Sequence, residues 1–370
     1  MESQKPYSLS HEETLEEYKN LQKFLLSGNK FKELRSKARS LMSPTPRTLL
    51  YQEHSVSVYK YQSLKSKVIS RPMLVVPSLV NRPSIMDHLE GESFIAAMVQ
   101  RGIPVFMIEW GEQIQSQRNV NLEQYLKGYL GRACRRVTWD QNADGLHLAG
   151  YCLGGTLATV FCGLDRGDLV KSLVTMVTPL NFHDQGLLSW WAREEHFDVD
   201  KIVDTWGNVP AHFFSSSFPW LVPTAPIKKA RTLYQKQDDE DFLLRFLALD
   251  LWISENIDFP GEVYREIIKL GYQKNVLVKD KKWAFDGGDS ELSKITFPVL
   301  NMVAAYDHVS PPESCSLVKD LLPNAACETR IHETGHLGFA LGKDKFGQNT
   351  SRYWDEIIDW LSIVESKEKR

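Results

Sequence analysis

The chain has 370 residues, 42% of them hydrophobic, and a formal net charge of -3, enough for one large domain or a domain with an insertion and its own packed core. The charge leaves no basic excess for nucleic acid or an anionic membrane surface. Cys134, Cys152, Cys162, Cys315 and Cys327 show no paired framework or metal spacing, the start at Met1-Glu2-Ser3-Gln4-Lys5 has no signal-peptide core, and no apolar run reaches the ~20 residues of a membrane span, so a reducing, cytoplasmic location is expected.

Residues 1–45 read as a charged helical segment. Ser10 and Glu13 suit a capping box, and Leu15, Tyr18, Leu21, Leu25 and Leu26 form a helical apolar stripe. Gly28-Asn29 interrupts it, Phe31 and Leu34 resume it, and Pro44 and Pro46 end it. The stripe packs either on its own domain or on another chain. Val56, Val58 and Lys60 alternate with Tyr59 and Tyr61 as in a strand. Short apolar strands are expected at Met73 to Pro77, Pro104 to Ile108, 146–150, Leu173 to Val177 and Phe297 to Val303, with a last one at Glu328 to His332. Helices are expected at Phe94 to Gln100, Leu122 to Trp139, from Thr156, at Glu313 to Leu321 and at Ser351 to Val364. Apolar runs alternating with helices define βαβ units and a parallel sheet. From about Phe182 to Glu291 the rhythm stops. This insertion holds Trp190, Trp191, Trp206, Trp220, Trp252 and Trp283 beside Phe213, Phe214, Phe218, Phe242 and Phe246. Such a stretch is either a helical subdomain with an aromatic core or a cover packed over a site, and the two are compatible. The expected division is an N-terminal segment 1–45, a core of 46–181 and 292–370, and a cap at 182–291.

The stretch Gly150-Tyr151-Cys152-Leu153-Gly154-Gly155 joins a strand to a helix. It has the pattern of a nucleophile elbow, with Cys where Ser is usual. Small residues on both sides allow the tight turn, and the following helix N-terminus favours a thiolate. The Leu153 N–H is then placed to stabilise an oxyanion. Two further strand ends carry chemistry, Asp307 before Pro311-Pro312 and His336 between Gly335 and Gly338. Nucleophile, acid, histidine is the chain order of an α/β-hydrolase triad, in which the acid fixes the imidazole and the imidazole moves the proton. Asp307 also suits a turn-starting role, and His308 and His332 compete for the base.

At these residues the chain resembles polyhydroxyalkanoate synthases. The match continues through Val80-Asn81-Arg82-Pro83, Glu109-Trp110-Gly111 and Asp258-Phe259-Pro260-Gly261-Glu262 with Tyr264, over roughly residues 45–365. Glu109 stands where Asp is commoner. The short N-terminus resembles the classes that work with a small second subunit. The resemblance implies an α/β-hydrolase fold with an inserted helical, aromatic-rich cap. It makes Cys152 the acyl-accepting nucleophile, His336 the base, and Asp307 its partner or the activator of the chain-end hydroxyl. It gives the oxyanion hole to the N–H groups of Leu153 and Val80. It implies an (R)-3-hydroxyacyl-CoA substrate, CoA release, no cofactor, a homodimer and attachment to polyester granules. Dienelactone hydrolases share Gly-Tyr-Cys-Leu-Gly-Gly but are shorter and lack such a cap. A thioesterase or a polyester depolymerase also fits the fold, as does a catalytically dead scaffold.

Overall fold

Apolar runs bounded by Gly and Pro build the sheet. A computed structural model describes residues 28–62, 66, 68–112, 115–164 and 169–368. The capping box at Ser10 and Glu13 and the stripe from Leu15 to Leu26 lie outside the described residues. Eight strands form one sheet: β1 (Arg47–Glu53), β2 (Val56–Tyr61), β3 (Met73–Val76), β4 (Val105–Glu109), β5 (Leu146–Tyr151), β6 (Val170–Met176), β7 (Val299–Ala304) and β8 (Cys327–His332). Their order is β1-β2-β4-β3-β5-β6-β7-β8, with the β1–β2 and β2–β4 pairings antiparallel and the remaining pairings parallel. The expected α/β-hydrolase fold class, a mostly parallel sheet flanked by helices, is borne out.

The central strands β3, β5 and β7 are buried along their whole length, which explains their unbroken apolar runs. β1 was not expected from sequence. It lies at the sheet edge with its first residues exposed, so it lacks a buried face to write an alternating pattern. Helix Leu153–Leu164 begins three residues before Thr156, directly after Cys152. The helix expected at Glu313 to Leu321 is two short pieces, Pro312–Cys315 and Val318–Leu321. The helix expected at Leu122 to Trp139 is a wide π-helical turn, Gln124–Leu130, running into Gly131–Gln141.

The chain divides into two compact units. The larger comprises residues 43–222 and 252–370 and contains the sheet. Of the described residues, the smaller comprises 28–42 and 223–251. In the smaller, Arg35 and Lys229 both bond the Asp250 carboxylate, at 3.1 and 2.7 Å, and Lys37 bonds Glu240 at 2.6 Å. Between β6 and β7 the larger unit adds short helices at Leu187–Trp191, Val199–Trp206, Ala211–Ser217 and Gly261–Glu266. No helix among the described residues is long and apolar enough to cross a membrane.

The carboxyl ends of β3, β5 and β7 open on the same side of the sheet, where catalytic groups gather in such folds. The opposite ends of β3 and β5 are clamped by the C-terminal helix Arg352–Glu368. Its buried Glu365 accepts from the Ser70 and Arg71 N–H groups at 2.9 and 2.8 Å and lies 3.2 Å from His147 Nε2.

Candidate active site

The end of β5 shows why the elbow has its composition. Cys152 has φ +55°, a left-handed conformation that a residue with a Cβ adopts only under strain. Two backbone bonds hold it: its N–H donates to Met176 O at 2.9 Å, and its carbonyl accepts from the Gly155 N–H at 2.9 Å. A Cβ on Gly154 would sit 2.1 Å from Val76 O, and one on Gly155 would sit 1.9 Å from Thr178 Oγ1. Larger residues would push the turn off the sheet. The thiol therefore stands at the N-terminus of helix Leu153–Leu164, where N–H groups lack intrahelical partners.

The two other strand ends converge on it. Asp307, 4% exposed, accepts through Oδ1 from the N–H groups of Val309 and Ser310 at 2.8 and 2.9 Å. Its Oδ2 lies 2.7 Å from His336 Nδ1. Asp307 thus both starts the turn and hydrogen-bonds the histidine. Burial disfavours a charged imidazole, but the Asp307 carboxylate, Cys152 and hydrogen bonds to both raise the His336 pKa well above its ordinary value. With Nδ1 taken by Asp307, Nε2 is the nitrogen left for the sulfur. Tyr151 fixes the loop by donating its hydroxyl to His336 O at 2.9 Å. Burial first, then the nearby Cys152 and Asp307, push that phenol's pKa far up, so it stays a neutral donor.

The competing histidines are elsewhere. His308 is exposed. His332 is buried at the end of β8, stacked edge-on against Tyr353 and Phe339 with ring centroids 4.8 and 5.5 Å away. Burial lowers its pKa despite Glu356 at 3.2 Å, so it remains a neutral packing residue.

Cys152 opens into a cavity of about 240 Å³. Leu153, Val80, Val309 and Ser310 line it on the sheet side, and Leu188, Trp191, Phe197, Phe213, Phe214, Phe218, Phe259, Tyr264 and Tyr272 line the rest. Of the aromatics singled out in the sequence, Trp191, Phe213, Phe214, Phe218, Phe259 and Tyr264 reach the cavity. Trp190 and Trp220 do not line it and are 48% and 64% exposed. Leu188, Phe197 and Tyr272 were not anticipated as site residues. The aromatic bias of the insertion was their one signal, and it does not say which ring faces inward.

The remaining motifs position this wall. Trp110 Nε1 donates to Pro77 O at 3.0 Å, fixing the exit of β3 ahead of Val80. Arg82 Nε donates to Glu255 O at 2.9 Å, and Trp252 Nε1 donates to Arg82 O at 2.8 Å. A Cβ on Gly261 would lie 1.7 Å from Gly207 O, so only glycine lets these backbones cross. The Val80 N–H donates to Ser78 Oγ at 3.2 Å, a long bond.

A family model described as "alpha/beta hydrolase fold" matches residues 141–343. The chain is therefore an α/β-hydrolase-fold protein in sequence as well as in topology. It is 33% identical over 327 residues to the "Poly(3-hydroxyalkanoate) polymerase subunit PhaC" of Synechocystis sp., covering 86% of this chain and 84% of that protein. It is 32% identical to the protein of the same name from Allochromatium vinosum, covering 86% and 88%. With that of Haloferax mediterranei it shares 29% identity over 86% of this chain but spans only 64% of the relative's length. The chain belongs to the poly(3-hydroxyalkanoate) polymerase PhaC family, as its motifs led us to expect.

Proposed function

We propose that this enzyme polymerises (R)-3-hydroxyacyl-CoA, 3-hydroxybutyryl-CoA above all, into a polyester with release of CoA. The observation that carries this reading is a cysteine, coupled to the His336–Asp307 pair, in the wall of an apolar aromatic cavity. In the proposed sequence, the Cys152 thiol gives its proton to His336 Nε2. The sulfur attacks the thioester carbonyl, and the N–H groups of Leu153 and Val80 receive the oxyanion. Collapse expels the CoA sulfur, which takes the proton from His336. A chain-end hydroxyl then loses its proton to His336 and attacks the Cys152 thioester, so an ester forms and the thiol is restored. Asp307 holds the imidazolium during both transfers. No cofactor enters these steps.

Water competes with that hydroxyl, and a polymerase must exclude it. The aromatic residues of 182–291 that line the cavity supply that cover. The PhaC relatives are named subunits, which supports a small second subunit for this chain. A homodimer working at the granule surface in the cytoplasm completes the proposal. The test is purified protein, with any required partner, given (R)-3-hydroxybutyryl-CoA. Insoluble polymer with little free 3-hydroxybutyrate is expected. Stoichiometric free acid with no polymer at any protein concentration would make the protein a thioesterase and overturn the proposal.

A further inference from the structure

We propose that Tyr272 is a specificity-determining residue whose hydroxyl donates a hydrogen bond to the oxygen on carbon 3 of the acyl unit carried by Cys152. The inference rests on the polymerase reading and says how that site tells a 3-hydroxyacyl group from a plain acyl group.

The cavity is almost wholly apolar, and a 3-oxygen brought into it without a partner would lose its hydrogen bonds to water. Besides Cys152, the side-chain donors in the wall are Trp191, Ser217, Tyr264, Tyr272 and Ser310. The Ser217 hydroxyl already donates to Phe213 O at 2.6 Å, and of the two tyrosines only Tyr272 has Cys152 acting on its phenol. Tyr272 lines the same cavity as Cys152 and feels that sulfur electrostatically. Among the described residues its hydroxyl has no hydrogen-bond partner, yet it is not among the sealed, unsatisfied polar atoms. Its hydroxyl therefore borders open space, and the residue lines the cavity.

The backbone is shaped to put it there. Tyr272 sits in a wide π-helical turn, Ile267–Gln273, where the Lys274 N–H reaches back five residues to Lys269 O at 3.0 Å. One extra residue in a turn rotates the later side chains by about 100°, and such turns recur at functional sites. The ring is then locked by an edge contact with Phe182, centroids 4.8 Å apart, while its carbonyl is held by His183 Nε2 at 2.9 Å. A rigid ring with one unused donor fits an acceptor in fixed position. In the proposed sequence every unit enters Cys152 with a free 3-hydroxyl, which accepts a hydrogen bond, so one donor serves every round. Burial, with Cys152 and Asp184 nearby, raises the phenol's pKa, so it stays protonated and can only donate or accept as a neutral group.

The test compares (R)-3-hydroxybutyryl-CoA with butyryl-CoA, which lacks the hydroxyl, in single-turnover acylation of the full-length enzyme with any required partner. CoA release and the mass of the acyl-enzyme are read for wild type, Tyr272→Phe and Tyr272→Leu. Wild type should prefer the hydroxylated substrate. Tyr272→Phe should lower that preference roughly tenfold, the worth of one neutral hydrogen bond in a dry site, by slowing the hydroxylated substrate and sparing butyryl-CoA. The loss should be the same from neutral to mildly alkaline pH. Tyr272→Leu, if folded by circular dichroism, should lose the same discrimination. Unchanged discrimination in Tyr272→Phe, or an equal loss on both substrates, would overturn the proposal. Absence of any Cys152 acyl-enzyme in wild type would instead overturn the polymerase reading itself.

Discussion

The strand β5 carries a histidine or its partner at each end, and the two ends do different things. At its amino end His147 is fully buried, with Nε2 3.2 Å from Glu365 and Nδ1 2.8 Å from Ser172 Oγ. Both ring nitrogens are engaged by protein groups. At its carboxyl end stands Cys152, met by a histidine whose Nδ1 alone is engaged by a carboxylate, at 2.7 Å. A buried histidine–acid pair is therefore not by itself a catalytic device. In the proposed reaction it becomes one because the second nitrogen is left for Cys152 and Cys152 faces a cavity. Four substitutions or sets of them break or sharpen this contrast.

Removing the nucleophile has the largest effect. Cys152→Ala should abolish CoA release and leave no acyl-enzyme by mass spectrometry. Cys134→Ala and Cys162→Ala should retain turnover, because both thiols are fully buried in the core away from the cavity lining. Turnover in Cys152→Ala comparable to wild type would remove the elbow from the chemistry.

The next effect separates the histidines. His336→Gln should lower the acylation rate roughly 10²–10⁴-fold, the contribution of a positioned base, and Asp307→Asn should approach it by presenting the wrong tautomer. His332→Gln should cost stability instead, since it breaks an aromatic stack and not a proton path. Stopped-flow CoA release and thermal melts on the same preparations measure both. A larger rate loss in His332→Gln than in His336→Gln would reverse the assignment.

The third effect is on product and not on rate. Trp191→Leu and Phe213→Leu keep the cavity apolar while thinning its wall. Severalfold more free 3-hydroxybutyrate per ester bond formed is expected, read by chromatography of the soluble products. An unchanged ratio in both variants would mean that the wall does not exclude water.

How much of the molecule is legible in the sequence depends on where each constraint is written. The elbow is readable because Gly150, Gly154 and Gly155 each answer to a neighbouring atom within 2.9 Å of a would-be Cβ, so the constraint lies in consecutive residues. Asp307 and His336 are readable because strand ends and glycines flank them. The cavity is not. Its wall joins residues 80, 152, 188, 213, 259, 272 and 309, which only tertiary packing brings together. Ring orientation is also a matter of packing, so Trp191 points in while its neighbour Trp190 lies against His196 with ring centroids 4.1 Å apart. Helix Leu153–Leu164 starts earlier than its sequence suggests because Gly154 and Gly155 read as breakers, when their role is to let the helix touch β3 and Thr178. β1, at an exposed edge, leaves no pattern to find.

The smallest effect on chemistry should come from the other end of β5. Burial raises a carboxyl's pKa, but hydrogen bonds from His147, the Ser70 and Arg71 N–H groups and the Ser70 hydroxyl outweigh it and hold Glu365 down at about 2, against an ordinary 4.5. A depressed carboxylate contributes stability above its unfolded value and loses it as the pH falls through the folded value. The full contribution, at most about 3 kcal/mol, is thus present at neutral pH and lost between about 4.5 and about 2. Glu365→Gln should leave acylation by Cys152 unchanged, because the sheet lies between the two sites. Its urea midpoint at neutral pH should fall. The gap to wild type should close as the pH drops through that window, since protonated Glu365 resembles Gln. A gap that stays constant down to the lowest pH would mean that packing, and not the charge, makes this pair a clamp. A loss of turnover at full fold would mean that the two ends of β5 are coupled.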